Sequence, residues 1–202
     1  HISKVLPPLS EGEITAGIAL VNQHYLSQGI TSLQDATVTN DLGRWQQFGR
    51  FKDNGMLKSR LFMMFGFDAM SQVRAAGLFA GAGDSRLSLG GVKFVLTDVP
   101  GQLYPPQTEL NEQVLAAHQA GVQVAIHAGQ RETVEAAITA LEYANSQLVL
   151  SGLEGLPVAD SRHRIEHCSE CPSDLLWRLK RLQAVIVTQP SFLYFSGERY
   201  LA

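Results

Sequence analysis

Three residues that could hold a metal or move a proton recur about once per βα repeat of the chain. Lys93 lies within one apolar segment, His127 ends the next and His167 ends the one after, at separations of 34 and 40 residues. Neutral imidazole is the commonest metal ligand in proteins, and zinc accepts nitrogen and oxygen donors. A lysine in an apolar strand must be paired, neutralised or modified, because an isolated buried ammonium is very costly. The spacing therefore indicates a metal site or, alternatively, an enzyme that uses His127 as an acid or base without metal.

These side chains can meet only if their segments are neighbouring strands of one parallel sheet. Strand patterns start near residues 30, 61, 91, 122, 164 and 184, and helical patterns separate them. The first three intervals each match one βα unit of a barrel, roughly 30 residues, and repetition at that period is typical of a parallel α/β fold. The carboxyl ends of such strands share one mouth. We therefore predict that Lys93, His127 and His167 converge there.

An open, doubly wound sheet is the competing architecture, because the sequence shows six units rather than the eight of a closed barrel. Such a sheet normally carries a glycine-rich phosphate turn after an early strand. The nearest segment of that kind, Gly81–Asp84, does not follow a predicted strand.

The connecting segments carry further predictions. Ser10 and Glu13 have the spacing of a capping box, which predicts that a helix begins there. Asn40–Lys58 predicts a loop plus a short helix, which either roofs a site or packs on the surface. Val99–Gln107 contains three prolines and a glycine and predicts a loop, as does the glycine-rich segment Ser146–Ser161.

Composition narrows the class of protein. The 202 residues, 45% hydrophobic and 17% charged, suit one domain with a sizeable core, so we predict a single domain over residues 1–202. A net charge of -3 argues against a nucleic-acid partner, and no apolar run approaches the roughly 20 residues that cross a membrane. The first residues lack the layout of a signal peptide, and two cysteines are too few for a disulfide framework. We expect a cytoplasmic protein that takes a small-molecule substrate, without nucleic-acid or membrane partners, and that could act as a homo-oligomer.

Several stretches carry a resemblance that covers nearly the whole chain. They are Gly29–Ala36, Gly90–Lys93, Val124–Ala128, Arg162–Cys168 and Val187–Pro190. In these stretches the chain resembles the amidohydrolase superfamily, specifically amidohydrolase family 3, which includes N-substituted formamide deformylases. The Arg-Ile-Glu-His segment, one βα step after a strand-end histidine, is the most specific of them.

The resemblance implies a fold and a chemistry. The fold would be a TIM-type (β/α)8 barrel, incomplete here and comprising about strands 2 to 7. Lys93 would match the strand-4 lysine, which is often carboxylated into a bridging metal ligand, and His127 and His167 would match the metal-binding histidines of strands 5 and 6. One or two divalent metal ions, zinc in the first instance, would activate water to cleave a non-peptide C–N bond such as that of an amide or formamide.

Two departures from the family bear on this function. The His-x-His pair of strand 1 and the strand-8 aspartate, expected as ligand and general base, have no counterpart, so no catalytic or substrate-binding residue is assigned. We therefore expect weak or absent metal binding by this chain alone. The alternative function is a catalytically inactive remnant that acts as a folded or oligomeric module. The strands near Ile30 and Ala184 would be sheet edges, and we predict that they pair with a second copy or with other segments of a longer protein.

The predicted roles of the remaining histidines and of two polar residues at strand ends are less definite. His24 and His118 lie in helical patterns and are predicted to be on the surface, and His163, between two arginines, is assigned no role. Asp35 and Gln189 follow predicted strands, where each either lines the mouth or serves as a structural cap.

Overall fold

The computed structural model of the chain describes residues 7, 9–99, 101–151 and 161–200. Its strands are β1 (Ser32–Asp35), β2 (Arg60–Gly66), β3 (Leu87–Val95), β4 (Thr97–Val99), β5 (Gln102–Tyr104), β6 (Val124–Ala128), β7 (Arg164–His167) and β8 (Val185–Val187). Its helices are α1 (Glu11–Ser27), α2 (Leu42–Asp53), α3 (Met70–Ala75), α4 (Gln107–Gln119), α5 (Arg131–Ser151), α6 (Ser173–Leu182) and α7 (Ser191–Ser196).

Six of the strands form one parallel sheet in the order β1-β2-β3-β6-β7-β8. These are the six predicted strands, and they follow one another across the sheet in chain order. A doubly wound sheet reverses its strand order at a switch point, and this sheet does not. The barrel-type prediction is therefore confirmed over the open-sheet alternative.

The sheet is curled into a half-barrel, as one hydrogen bond across its concave face demonstrates. Arg164 Nη1 on β7 donates to Gln34 Oε1 on β1 at 2.7 Å, although three strands lie between β1 and β7. In a flat sheet four strand spacings would separate them by about 19 Å. The concave face is consequently the interior side of an incomplete barrel.

The convex face of the sheet packs against the helices and forms the main core. Alternate residues of the central strands, among them Val92, Phe94, Ile126 and Ile165, lie in that core and are almost inaccessible to solvent. Their neighbours in sequence, including Lys93 and His127, therefore lie on the concave face. In β7 and towards the ends of β3 and β6, period-two alternation thus places apolar residues in the core and polar residues on the concave face.

The helices follow from local signals, and some predictions about the connections were wrong. The capping box is confirmed, since Ser10 Oγ accepts from the Glu13 amide and the Glu13 carboxylate accepts from the Ser10 amide at 2.8 Å. The predicted loop Val99–Gln107 contains strand β5, which forms a hairpin with β4, and α4 already begins at Gln107. Helix α5 runs to Ser151 into the second predicted loop, of which residues 152–160 lie outside the described part of the chain.

Helix α2 occupies part of Asn40–Lys58, begins after Asp41, and packs Phe51 into a second apolar cluster beneath α1. It is therefore a packed surface helix. Among the described residues, no helix combines the length and apolarity that crossing a membrane requires.

Candidate metal centre

His127 and His167 meet at the carboxyl ends of two adjacent strands. The last residues of β6 and β7 pair in register, His127 with Glu166 and Ala128 with His167. His127 Nδ1 and His167 Nε2 are 2.9 Å apart, and the ring centroids are 4.3 Å apart at an interplanar angle of 71°. The structure thus brings together the two histidines selected from the sequence.

His167 reaches this position because its backbone leaves the strand conformation. A regular residue paired with Ala128 would point to the helix side of the sheet, where Ala128 is fully buried. Instead His167 and Cys168 have φ of 74° and 48°, and the Cys168 amide donates to the Ala128 carbonyl at 2.9 Å. Left-handed conformations of residues other than glycine are strained by about 1–3 kcal/mol each and cluster at functional sites.

Gln189, which follows β8, orients the His167 ring. The Gln189 amide oxygen accepts a hydrogen bond from His167 Nδ1, and its amide nitrogen contacts the Val187 carbonyl at 3.5 Å. Because an amide oxygen can only accept, the proton of a neutral His167 lies on Nδ1 and the lone pair lies on Nε2, facing His127. Metal-binding histidines are usually held in this way through their other nitrogen. Gln189 therefore lines the mouth.

The surroundings of His127 favour its neutral form. Burial lowers the pKa of His127, and the neighbouring charges of His167 and Lys93 lower it further. Neutral imidazole is the form that binds metals.

Lys93 lies on the same concave face, one side-chain row deeper than His127. Lys93 pairs with Ala125 in the sheet, and Val95 pairs with His127, so the offset along the strand is two residues, about 6.6 Å. Lys93 is only 5% exposed. Burial lowers its pKa, the carboxylate of Glu166 raises it and the charge of Arg164 lowers it again. A lowered pKa increases the fraction of free amine, the form that reacts with carbon dioxide.

A buried ion pair that the sequence analysis did not identify lies beside Lys93. Arg164 Nε and Nη2 both contact Glu166 Oε1 at 2.8 Å, and both side chains are nearly inaccessible to solvent. The Arg164 guanidinium therefore forms an ion pair with the Glu166 carboxylate. It also donates a hydrogen bond to Gln34 across the half-barrel. The alternation Arg-x-Glu within β7 was the available signal, because it places both side chains on one face.

The donor atoms at the mouth fit part of a metal site. Two ligands of a tetrahedral zinc, each about 2.05 Å from the ion, hold their donor atoms about 3.3 Å apart, close to the separation of the two imidazole nitrogens. Within the described residues, however, no group of three or more His, Cys, Asp or Glu side chains is arranged to hold a metal. Lys93 would contribute oxygen donors only after carboxylation.

A cavity of about 160 Å³ opens beside the two histidines. Its remaining lining residues are Gly129, Gln130, Ser169, Glu170 and Phe192. Phe192 also stacks on the His167 ring, with centroids 5.6 Å apart and an interplanar angle of 27°. No spacing in the sequence identified Phe192. A larger cavity of about 290 Å³ is lined by Ile18, Phe48 and other residues of α1, β1 and α2. Neither His127 nor His167 lines it.

A second histidine pair lies at the opposite end of the same strands. His163 precedes β7, is fully buried and accepts at Nδ1 from the Val124 amide at 3.0 Å, while its Nε2 is 2.9 Å from His118 Nδ1. Burial, assisted by the charge of His118, lowers the pKa of His163 to about 3. The surface prediction for His118 was wrong, since its ring is buried. Its position at the amino-terminal end of the strands is typical of a residue that stabilises the barrel.

Comparison with known proteins places these features in context. A sequence profile described as "Amidohydrolase family" matches residues 2–202. The fold is similar to that of an uncharacterized metal-dependent hydrolase from Pyrococcus furiosus, with a TM-score of 0.74 and 23% identity over 93% of this chain and 40% of that chain. A second such hydrolase, from Pyrococcus horikoshii OT3, has a TM-score of 0.71 and 22% identity over 92% of this chain and 38% of that chain. This chain thus spans about two fifths of the length of either structure. A comparison with curated proteins gives no match.

Proposed function

Since the chain belongs to the amidohydrolase family, we propose that it provides the central strands of a metal-dependent hydrolase. The reaction is the cleavage of a non-peptide C–N bond, of the amide or N-substituted formamide kind, by activated water. The observation that carries this proposal is the contact between His127 Nδ1 and His167 Nε2 at the carboxyl edge of the sheet.

His127, His167 and a carboxylated Lys93 would hold a divalent metal, with zinc as the first choice because these are nitrogen and oxygen donors. The metal would supply Lewis acidity toward a carbonyl oxygen and would make water more acidic. The chain itself contributes the orientation of the ligands. Gln189 holds the proton of His167 on Nδ1, burial favours the neutral form of His127, and Arg164 pairs with the Glu166 carboxylate beside Lys93.

Two imidazoles and one carbamate are fewer than the four ligands of a closed zinc site. We propose that the chain binds metal weakly by itself and that strands added beside β1 or β8, from a second copy or from further polypeptide, complete the donor set. The single barrel domain over residues 1–202 then forms part of a larger one. A catalytically inactive module is the second candidate, favoured by the incomplete donor set in the described residues.

We also propose a reducing, cytoplasmic setting. Cys168 and Cys171 are both free thiols, and burial, together with Cys171, raises the pKa of Cys168 to about 12. Unpaired cysteines are typical of proteins kept in a reducing compartment.

Metal titration of purified protein tests the proposal. We expect His127→Asn and His167→Asn each to weaken zinc binding by about 10-fold or more, whereas His24→Asn on exposed α1 should leave it unchanged. Bicarbonate should strengthen metal binding by the natural protein but not by Lys93→Met. Equal metal affinity in all these proteins would reject the site.

Activity is tested on the same proteins, loaded with zinc, manganese or iron. Release of amine from N-substituted formamides and from carboxamides is the measurement. Turnover that depends on added metal and is lost in His127→Asn supports the hydrolase. Metal-independent turnover lost in the same variant would favour acid–base catalysis, and metal binding without turnover of either substrate class would favour the inactive module.

A further inference from the structure

A second cavity adjoins the cavity beside the histidines, and the partly exposed Phe192 side chain lines both. It has a volume of about 200 Å³, and Cys168, Thr188, Pro190, Phe192 and Leu193 contribute to its wall. Phe192 and Ser169 line both this cavity and the cavity beside the histidines. The two cavities are therefore neighbours that share a wall, and one molecule could occupy both.

The lining of the second cavity favours an apolar occupant. No charged side chain lines it within the described residues. The Cys168 thiol is neutral, and the amide of Gln189 already contacts His167 and Val187. The hydroxyls of Ser169 and Thr188 are the remaining polar side-chain groups among the residues that line it. The cavity beside the histidines differs, because Gln130, Glu170 and two imidazoles line it. A ligand that spans the two cavities would need one polar end and one apolar end.

We propose that the second cavity holds the apolar substituent of the substrate, while the C–N group lies beside His127 and His167. Phe192 is then a specificity-determining residue, because its ring lines both cavities and stacks on His167 beside the reacting group. An apolar cavity of about 150 Å³ holds a benzene ring, so 200 Å³ accommodates a phenyl group or a branched alkyl group of similar size. This assignment rests on the proposed function.

The pairing of Phe192 with His167 explains how the wall stays in place. The ring stacks on the imidazole, and Pro190 begins the turn that leads from β8 into α7. Gln189 meanwhile accepts a hydrogen bond from Nδ1 of the same imidazole. A smaller residue at 192 would merge the two cavities and remove the selection by length.

Binding of an N-alkylformamide series tests the proposal without turnover. The probes are N-methyl-, N-ethyl-, N-propyl-, N-butyl- and N-benzylformamide, titrated into metal-free protein and followed by ligand-observed NMR. Each buried methylene should strengthen binding by about fourfold, and the gain should stop once the cavity is full. In Leu193→Asn the gain per methylene should be smaller than in the natural protein, because residue 193 lines the proposed cavity.

Phe192→Ala and Phe195→Ala form the matched pair of variants. Phe195 lies on the same helix but is 80% exposed and lines neither cavity. Phe192→Ala should shift the optimum to longer substituents, and Phe195→Ala should reproduce the natural protein. Thermal unfolding of both variants identifies loss of fold, in which case the Leu193→Asn series decides.

The outcomes separate this proposal from the proposed function. Affinity that rises with chain length, without turnover by any metal-loaded form, supports the cavity and rejects the hydrolase. Turnover with affinity that does not depend on chain length rejects the cavity and retains the hydrolase. Absence of measurable binding by every probe, or equal effects of Phe192→Ala and Phe195→Ala, would also overturn the assignment.

Discussion

Acidification should destabilise this fold through one residue that takes no part in the proposed chemistry. His163 is completely buried at the amino-terminal end of β7, where its Nδ1 accepts the Val124 amide and its Nε2 faces His118. Since Nδ1 accepts, the proton of the neutral ring lies on Nε2 and is donated to His118. A second proton could enter only by breaking the hydrogen bond from Val124. This arrangement, together with burial, accounts for the direction of the pKa shift, to about 3.

The size of the effect follows from proton linkage. Histidine in an unfolded chain has a pKa of about 6.5, so above this pH both states are neutral at His163 and the residue contributes no pH dependence. As the pH falls from 6.5 toward 3, only the unfolded state takes up the proton, and unfolding becomes easier by up to about 1.4 kcal/mol per pH unit. Between pH 7 and pH 5 the free energy of unfolding should decrease by about 2 kcal/mol on account of His163 alone.

The assay is urea unfolding at a series of pH values, with His163→Gln as the comparison. Glutamine can still accept a hydrogen bond from the Val124 amide but does not titrate. The titratable groups that do not contact residue 163 are present in both proteins, so their contributions largely cancel in the difference. Between pH 7 and pH 5 the two curves should converge by about 2 kcal/mol, whatever their separation at pH 7. Parallel curves over that range would refute the reasoning, because His163 would then be protonated in the folded state.

Three further predictions concern the site and the sheet. Gln189→Leu should weaken zinc binding by about 10- to 100-fold in a metal titration, because His167 loses the acceptor that fixes its proton; an unchanged affinity would contradict this. Arg164→Ala should lower the free energy of unfolding by about 3–5 kcal/mol, because Glu166 is left as an unpaired buried charge. Arg131→Ala, in an exposed ion pair, should lower it by less than about 1 kcal/mol. Equal decreases in the two variants would count against a buried network. Light scattering of the purified chain should show a dimer or larger species, because within the described residues β1 and β8 each end the sheet with one unpaired edge. A stable monomer of 22.1 kDa would disprove edge pairing.

The central strands could be predicted because parallel strands that are buried on both faces carry long apolar runs. Leu61–Gly66 and Gly90–Val95 show such runs, and each lies within an observed strand. The β4–β5 hairpin could not be predicted, because its segments are three residues long and the prolines around them are typical of loops. Within the site, His127 could be predicted because it follows three apolar strand residues, Val124–Ile126.

Other features of the sites depend on contacts between distant segments. The burial of His118 had a signal, since it continues the apolar row of Leu110 and Val114 at helical spacing, but its partner His163 lies 45 residues away. The position of His167 depends on a left-handed backbone that a sequence of common residues does not announce. Phe192 approaches His167 only because β8 lies next to β7, so no local pattern could select it.

The bond between Gln34 and Arg164 has a consequence for how the half-barrel assembles. These residues are 130 positions apart in sequence, whereas each strand of the parallel sheet pairs with the one that follows it in chain order. Closing a long loop costs conformational entropy before the contact that closes it can stabilise the chain. The βα units can therefore join one after another, and the curvature of the sheet forms last. The polar groups of the concave face would then approach one another only when synthesis and folding of β7 are complete. Further βα units added beside β1 or β8 would not change this order, in which neighbouring strands pair first and the sheet curves last. Addition of strands at the edges of the sheet is therefore compatible with the same folding route.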